Sequence, residues 1–349
     1  MKRYIIILSL ISATIGAAAQ NTDDALRLSL QRPSGTARSI SLGNAMGALG
    51  GDYTGIGINP AGISVYRSSE FTFTPSLHLN QTESNYYNTN TTDDRLYMPL
   101  QQIGFVGTYK PMHESSSGLV STHFSVGYTR NNSFKKSTFI QGSGINSSLL
   151  DEFVYMGGQR SPNELDPRTG LAYDALLLDP VNRDAIDDPN TRTEYYHAFE
   201  YDDTYEWALE KGLYQNRLLK ESGNSGDVDL AFGANFSNRF YLGGALGIST
   251  FHYKKTMQHY EEQEPSQNPW EHLKYYTFED KQNTNALGVN LKVGVIYKPT
   301  NALRVGASFH TPTLYTVDEE YSSSVYLPAD FIADYQIYDS PLGEYSYNF

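Results

Sequence analysis

The chain has 349 residues and no cysteine. Without cysteine it forms no disulfide, which suits a protein that crosses an oxidising compartment unfolded and must not cross-link on the way. Cations are also scarce, with 26 Lys and Arg against 39 Asp and Glu and a formal net charge of -13. That balance argues against nucleic acid as a partner and against a polybasic membrane-surface module.

Beyond the N-terminal stretch, long apolar runs are also missing. None approaches the roughly 20 apolar residues that a membrane-spanning helix needs, and the mean hydropathy is -0.47. Both properties are typical of a soluble chain. A strand of a membrane barrel, however, shows only one face to lipid, so its signal is alternation rather than continuous hydrophobicity.

The N-terminus has the pattern of an export signal. A basic start at Lys2 and Arg3 precedes an apolar stretch, and three alanines follow at 17–19. This pattern predicts a cleaved signal peptide over residues 1–19, with the mature chain beginning at about Gln20. The alternative is a retained N-terminal anchor, although the apolar stretch is shorter than a spanning helix.

Two-residue alternation is the main secondary-structure signal. One face of the stretch 287–297 is apolar or aromatic throughout, with Leu287, Val289, Leu291, Val293, Val295 and Tyr297. The same rhythm occurs over 303–310 and on both sides of a short link at 237–239. Further candidates are 71–79, 103–109, 120–128 and 134–141. We predict an all-β antiparallel fold with eight or nine strands in this chain.

Charged and amide side chains fall on the other face of these strands, at Asp229, Asn235, Asn290, Lys292 and Arg304. Burying such groups in a small dry barrel costs several kcal/mol each unless they are paired. A wide and wet lumen is therefore expected. An open sandwich with these residues on a solvent face is the alternative.

Short and long connections alternate along the chain, as they do in transmembrane barrels with short periplasmic turns and long external loops. The largest predicted external loop spans 142–226, and another long connection spans 254–283. Apolar residues at helical spacing over 148–155, 171–178 and 205–219 predict a folded cap within the largest loop.

Residues 31–64 are rich in Gly, Ala, Ser and Asn, a composition that a segment packed in a narrow cavity needs. This region resembles the FadL family of outer-membrane transporters for long-chain fatty acids and aromatic hydrocarbons. The elements of the resemblance are Ala37-Arg38-Ser39, a Gly-rich run over 43–51, Asp52, Asn59-Pro60-Ala61-Gly62, and a second strand element over 303–312.

The resemblance implies a transmembrane antiparallel β-barrel of 14 strands with an N-terminal hatch inside the lumen. Residues 20–66 are the expected hatch and 67–349 the barrel. Because fewer strands are counted, we expect this sequence to lack several at its C-terminal end; the alternative is a genuine smaller barrel. The hatch residues implied by the resemblance, with a structural rather than chemical role, are Arg38, Asp52, Asn59, Pro60, Ala61 and Gly62.

The implied function is passive uptake of long-chain fatty acids or other hydrophobic compounds across a bacterial outer membrane, with hatch movement and lateral release. The expected partners are a hydrophobic small molecule, outer-membrane lipid and the barrel-assembly machinery. An alternative is a non-transporting adhesin or ligand-binding barrel that acts through the large external loop. An outer-membrane hydrolase with a Ser/His site at the barrel rim is a third hypothesis.

Motifs for catalysis are missing, so we expect no enzyme, no catalytic residue, no metal and no cofactor. His252 and His259 are expected to be solvated rather than ligands. Two inward residues, Arg304 and His310, are candidate lumen contacts for a ligand carboxylate, since Arg binds carboxylate in a forked geometry. The alternative is that they pair with hatch acids such as Asp52.

Overall fold

Strands dominate the computed structural model, which describes residues 22–30, 32–111, 117–199, 212–263, 273–329 and 337–348. The predicted signal peptide over 1–19 lies outside these residues. The predicted all-β antiparallel class is confirmed, because one large antiparallel sheet contains most of the strands.

The strands are, in chain order, β1 (Glu70–Pro75), β2 (His78–Tyr86), β3 (Thr89–Tyr97), β4 (Leu100–Tyr109), β5 (Leu119–Ser133), β6 (Lys136–Ile145), β7 (Leu178–Pro180), β8 (Tyr195–His197), β9 (Leu213–Phe236), β10 (Phe240–Gln263), β11 (Tyr275–Tyr297), β12 (Val305–His310), β13 (Leu314–Tyr326), β14 (Ile337–Asp339) and β15 (Gly343–Asn348). In β1–β2, β3–β4, β5–β6, β12–β13 and β14–β15 the second strand follows the first after only two or three residues, and the two members of a pair do not pair with each other. Apart from the short β7 and β8, the described residues therefore form eight continuous strand stretches, against the eight or nine expected.

The large sheet is a meander in which most neighbours in space are neighbours in sequence. Its order is β1-β4-β5-β9-β10-β11-β13-β14, with β6 beside β9, β12 beside β11 and β15 beside β13. Within the described residues no ladder joins the β1 edge to the β14 and β15 edge. The strands β2 and β3 form a separate hairpin, as do β7 and β8.

The longest strands pair without interruption. Each residue of β10 from Phe240 to Gln263 faces one residue of β9, and the turn between them contains Ser237 and Asn238, both with positive φ. Two consecutive left-handed residues match the twist of a tight hairpin. The short link predicted at 237–239 is thus confirmed.

Two predicted loop boundaries are wrong. The large loop is shorter than 142–226 because β6 continues to Ile145 and β9 begins at Leu213, and 254–283 is largely strand in β10 and β11. The helix expected over 205–219 is also wrong for 213–219; residues 205–211 lie outside the described residues. These strand ends carry Lys, Glu, Gln, Asn and Ser on both faces, so they lack alternation, and pairing with the neighbouring strand decides their structure.

The two faces of the sheet differ in kind. On the outer face, six apolar side chains from six neighbouring strands lie directly opposite one another in the ladder, and all six are exposed: Phe71, Phe105, Val126, Leu230, Leu246 and Leu291. The adjoining row on the inner face is buried and contains Val106, Ser125, Ala231, Ala245 and Lys292.

Short helices of the N-terminal segment, residues 22–66, cover the inner face. They are α1 (Thr22–Ser29), α2 (Ala37–Ser41), α3 (Thr54–Ile58) and the 3-10 helix η1 (Pro60–Val65). The Thr36 hydroxyl caps α2 by accepting from Ser39 N, and the Asn59 side chain caps η1 by accepting from Ala61 N. Side-chain caps stabilise these helices where their length alone would not.

The insert between β6 and β9 is a folded unit with its own core. It contains α4 (Leu149–Gly157), the 3-10 helix η2 (Pro162–Glu164), α5 (Pro167–Asp174), α6 (Asp184–Asp187) and the β7–β8 hairpin. Leu150, Phe153 and Leu171 pack against Tyr276 and Phe278 of β11. The helix predicted over 148–155 is confirmed, whereas the one over 171–178 ends at Asp174.

The carboxylate of Glu261 on β10 anchors the insert to the sheet. It is fully buried and accepts hydrogen bonds from Ser148 Oγ and from Leu149 N, at the first turn of α4. A carboxylate is favoured there because the first N–H groups of a helix have no partner within the helix.

No helix among the described residues has the length and apolar character needed to cross a membrane.

Acid should loosen the insert at α4. The hydrogen bond from His197, assisted by one from Ser148 N, holds the pKa of Asp151 below its ordinary value despite partial burial. Its contribution to stability is therefore present above the unfolded pKa of about 3.9 and is lost as pH falls through the lower folded pKa. We expect the hydrogen-exchange protection of α4 to fall below about pH 4. Asp151→Asn should remove that pH step, whereas the same substitution at exposed Asp187 should retain it; equal behaviour would contradict the assignment.

Candidate functional site between the N-terminal segment and the sheet

Glycines of the sheet form the surface on which the N-terminal segment lies. A Cβ added at any of six inner-face positions would overlap atoms of the segment: Gly104, Gly127, Gly233, Gly243, Gly294 and Gly306. At Gly104 the added atom would lie 2.5 Å from the ring of Tyr53, which is buried. The segment thus approaches the strand backbones more closely than any other residue type would allow.

The Asn-Pro-Ala-Gly stretch is at the centre of this contact. Asn59 Nδ2 donates to Gly47 O at 2.7 Å within the segment and to two sheet carbonyls, Val295 O at 3.3 Å and Ala307 O at 3.4 Å. Its Oδ1 accepts from Ala61 N at 3.0 Å, so one amide both caps η1 and joins it to two strands. Pro60, Ala61 and Gly62 are buried.

Arg38 and Asp52 have a different place from Asn59. Arg38 Nη1 donates to Gly51 O at 3.0 Å, and Asp52 accepts from Thr36 Oγ1 at 2.6 Å and from Thr54 N at 3.0 Å. All these partners belong to the segment. The two residues therefore hold its fold, while Asn59 joins it to the sheet.

Arg304 and His310 both face the segment. Arg304 Nη1 donates to Leu49 O at 2.8 Å, and His310 Nε2 lies 3.1 Å from Ile58 O. The hypothesis that Arg304 pairs with Asp52 is wrong. The segment presents the Leu49 carbonyl to Arg304, and the Asp52 carboxylate accepts hydrogen bonds from Thr36 and Thr54 within the segment. Residue spacing cannot show which atom of a folded segment will face a strand.

A cavity of about 440 Å³ lies between the segment and the inner face. Its wall on the strand side carries a buried cation: Lys292 Nζ is 2.8 Å from Asp229 Oδ1 and 3.5 Å from Asp227 Oδ2. Ser249 Oγ donates to Asp227 Oδ1 at 2.7 Å, and Asn290 Nδ2 lies 3.3 Å from Ser249 Oγ. A buried charge of this kind is stable only when it is paired.

The expectation of an open inner face is wrong for four of the inward polar residues. Lys292, Asp229, Asn290 and Asn235 are all buried, because the N-terminal segment and neighbouring side chains cover them, and the first three line the cavity. Arg304 alone of the predicted set is exposed. The Asn290 carbonyl oxygen has no hydrogen-bond partner in the described residues.

The chemistry available to the cavity is fixed charge and hydrogen bonding. Its remaining walls include Arg32, Ser34, Thr54, Thr129 and Thr313. Among the described lining residues no hydroxyl is hydrogen-bonded to a histidine, the arrangement that would activate a nucleophile. In the same described ranges, no three His, Asp or Glu side chains cluster so as to hold a metal ion.

His252 contacts Asn285 and His259 contacts Glu261, so neither is simply solvated.

Sequence reasoning missed Asp227, Ser249 and the six contact glycines. The glycines had a signal, since each lies at an inward position of an alternating strand where a larger residue is usual. Asp227 had none, because it lies just after the predicted loop, which ends at residue 226, and before the alternating run that predicts the strand.

Gly243→Ala should weaken the seat of the segment, because its Cβ would overlap the backbone of Pro60 and Ala61. Overpacking of this kind costs about 1–3 kcal/mol. We expect a lower unfolding temperature and faster proteolysis of residues 22–66. Gly244→Ala is the matched control, since its Cβ points to the outer face and meets only Lys292 O at 3.7 Å. Equal effects of the two substitutions would contradict the contact.

Comparisons with known proteins found no match to a family model, to a curated protein or to a solved structure.

Proposed function

We propose that the chain is an outer-membrane β-barrel protein whose N-terminal segment fills the lumen as a hatch and which lets hydrophobic compounds pass without an energy source. The row of exposed apolar side chains from Phe71 to Leu291, one on each of six neighbouring strands, is the observation that carries this proposal. Exposed apolar patches of this extent are uncommon on soluble proteins. Against lipid, the same row is favourable.

The height of the apolar band supports a membrane. On β11 the apolar and aromatic outer-face residues extend from Leu287 to Tyr297, about 33 Å along the strand at about 3.3 Å per residue. A strand tilt of about 40° reduces this length to a height of about 25 Å. Bacterial barrels present an apolar band about 25 Å tall. The strands β9, β10 and β11 have 24, 24 and 23 residues, whereas a spanning strand needs about 9–11. These strands therefore project beyond the membrane together with the insert.

The contact at Asn59 supports the hatch. Wall and segment meet through glycine positions, backbone carbonyls and a small apolar cluster in which Tyr53 and Ile56 pack against Val106. The resemblance to FadL transporters, in Asn59-Pro60-Ala61-Gly62 and the Gly-rich run before it, points to the same role. A ligand that enters from outside would pass along this boundary.

The polar cavity departs from what the resemblance implies, which is an apolar pocket. At about 440 Å³ its size is within the usual range of ligand pockets, roughly 300–1,000 Å³. Its Lys292, Asp227 and Asp229 groups suit the polar end of an amphiphile rather than its tail. We assign it to the passage of that polar end.

Leu246→Arg tests the membrane. A cation at the centre of the apolar band costs about 2–4 kcal/mol in a bilayer, so refolding of the full chain into phospholipid vesicles should shift to lower urea concentration. Asn285→Arg is the control, because Asn285 is exposed on the outer face of β11 but lies above the row. If Leu246→Arg changed nothing, a lipid-facing outer row would be excluded.

A reversible lock tests the hatch. A Cβ added at Gly233 would overlap Ser64 Oγ, so Ser64→Cys with Gly233→Cys places two thiols in contact in a chain that has no cysteine. Entry of a long-chain fatty acid into vesicles containing the oxidised protein should be blocked, and a reductant should restore it. Gly233→Cys alone is the control for strain. Undiminished entry through the oxidised pair would reject hatch movement.

The folded insert favours a second candidate function, ligand binding at the cell surface. Its core packs on β11, and Tyr155 is 85% exposed. An adhesin that acts through the insert would lose function when residues 147–211 are deleted but would be unaffected by the Ser64–Gly233 lock.

A further inference from the structure

A second cavity, of about 390 Å³, lies where α1, the β2–β3 hairpin and the junction of β5 with β6 meet. Its lining residues are Arg27, Leu30, Arg32, Asn80, Gln81, Thr82, Asn132, Ser133, Phe134, Lys135, Lys136 and Glu221. Arg32 also lines the first cavity, so the two are adjacent along the N-terminal segment.

The second cavity is positively charged in a chain that is strongly acidic. Four cations line it against one carboxylate, Glu221, which accepts from Tyr253 OH at 2.7 Å. Arg27 is paired with Asp24 of the same helix and lies over the Tyr253 ring. Counting Asp24 with the lining residues, four positive and two negative charges leave a surplus of two.

Apolar groups stand beside these charges. Leu26 and Leu30 are both exposed and lie four residues apart, on one face of α1 and the turn that follows it. Phe134 contributes an aromatic wall, fixed against Phe251 at 5.2 Å and Tyr253 at 5.5 Å between ring centroids. The cavity therefore presents a cationic part and an apolar part to the same occupant.

We propose that this cavity binds the phosphate headgroup of a single-chain amphiphile, with Arg32 and Lys136 on the phosphate and the first carbons of the tail against Leu30 and Phe134. The inference rests on the proposed function, since it names the polar end of the transported compound. A phosphate monoester carries about -1.5 to -2 at pH 7, which matches the surplus of two, whereas a carboxylate carries one charge and would leave the other unmatched.

Arg32 lines both cavities. Its backbone N donates to Asn131 O at 3.1 Å, which fixes the chain at the border of the two cavities. A headgroup leaving the second cavity would meet Arg32 again on the side of Lys292. One side chain thus serves both cavities.

Binding to the full chain in nanodiscs of zwitterionic lipid tests the proposal, with dodecyl phosphate, dodecanoate and inorganic phosphate as probes. We expect dodecyl phosphate to bind about tenfold tighter than dodecanoate at pH 8, since one more charge-assisted contact is made. That advantage should shrink as pH falls through about 6, where the phosphate loses its second charge. The charged groups that face the site are those of Arg27, Arg32, Lys135, Lys136, Asp24 and Glu221.

Arg32→Gln and Lys136→Gln should each weaken dodecyl phosphate binding about tenfold. Lys254→Gln should leave it unchanged, because Lys254 is an exposed residue on β10 that does not line the cavity. Tight binding of inorganic phosphate alone would identify a site for free anion and overturn the amphiphile. Equal affinity for dodecanoate and dodecyl phosphate, or no effect of either substitution, would overturn the phosphate assignment.

The outcomes separate this inference from the proposed function. If fatty acid enters vesicles under control of the Ser64–Gly233 lock while Arg32→Gln and Lys136→Gln bind dodecyl phosphate normally, the transport proposal stands and the headgroup site is rejected. If dodecyl phosphate binds as expected but no compound crosses the membrane, the site stands and the transport proposal fails.

Discussion

Contact between backbones at glycine positions is the interaction on which the rest of this structure depends. Without a Cβ at Gly243, Gly294 and Gly306, the strands admit the Asn59-Pro60 turn and the Gly47 carbonyl directly against their main chain. One amide, that of Asn59, then reaches carbonyls of two different strands. The small residues of the segment and the glycines of the strands therefore depend on each other, because the close contact needs both.

Because the N-terminal segment covers the inner face, the polar groups beneath it need partners that they would not need in water. Lys292 in open water would need no partner, but under the N-terminal segment its charge is stable only because Asp229 and Asp227 lie within reach. Ser249 and Asn290 extend the network and satisfy part of its remaining hydrogen-bonding capacity. The side-chain carbonyl oxygen of Asn290 is buried and has no hydrogen-bond partner among the described residues.

The two cavities differ in electrostatic balance although they share Arg32. The first has its lysine matched by two aspartates, whereas the second keeps a surplus of two positive charges next to Leu30 and Phe134. In a protein with a net charge of -13, that surplus is a local exception. We propose that an anionic compound is attracted to this surplus although the chain as a whole is acidic, which is a basis for selectivity as well as for affinity.

Two-residue alternation in the sequence determined the strands that carry the exposed apolar row, because successive residues of such a strand lie in exposed and buried surroundings. The short link between two alternating runs determined the turn at 237–239, and the resemblance in Asn59-Pro60-Ala61-Gly62 pointed to Asn59. The parts of β9, β10 and β11 that lie outside the alternating runs have no such period, and only pairing with a neighbouring strand made them strands. The partners of Arg304, the ion pair of Lys292 and the gathering of Arg32 with Lys136 were likewise decided by tertiary structure. Each joins residues more than 60 positions apart, and local composition and spacing carry no information about contact over such a separation.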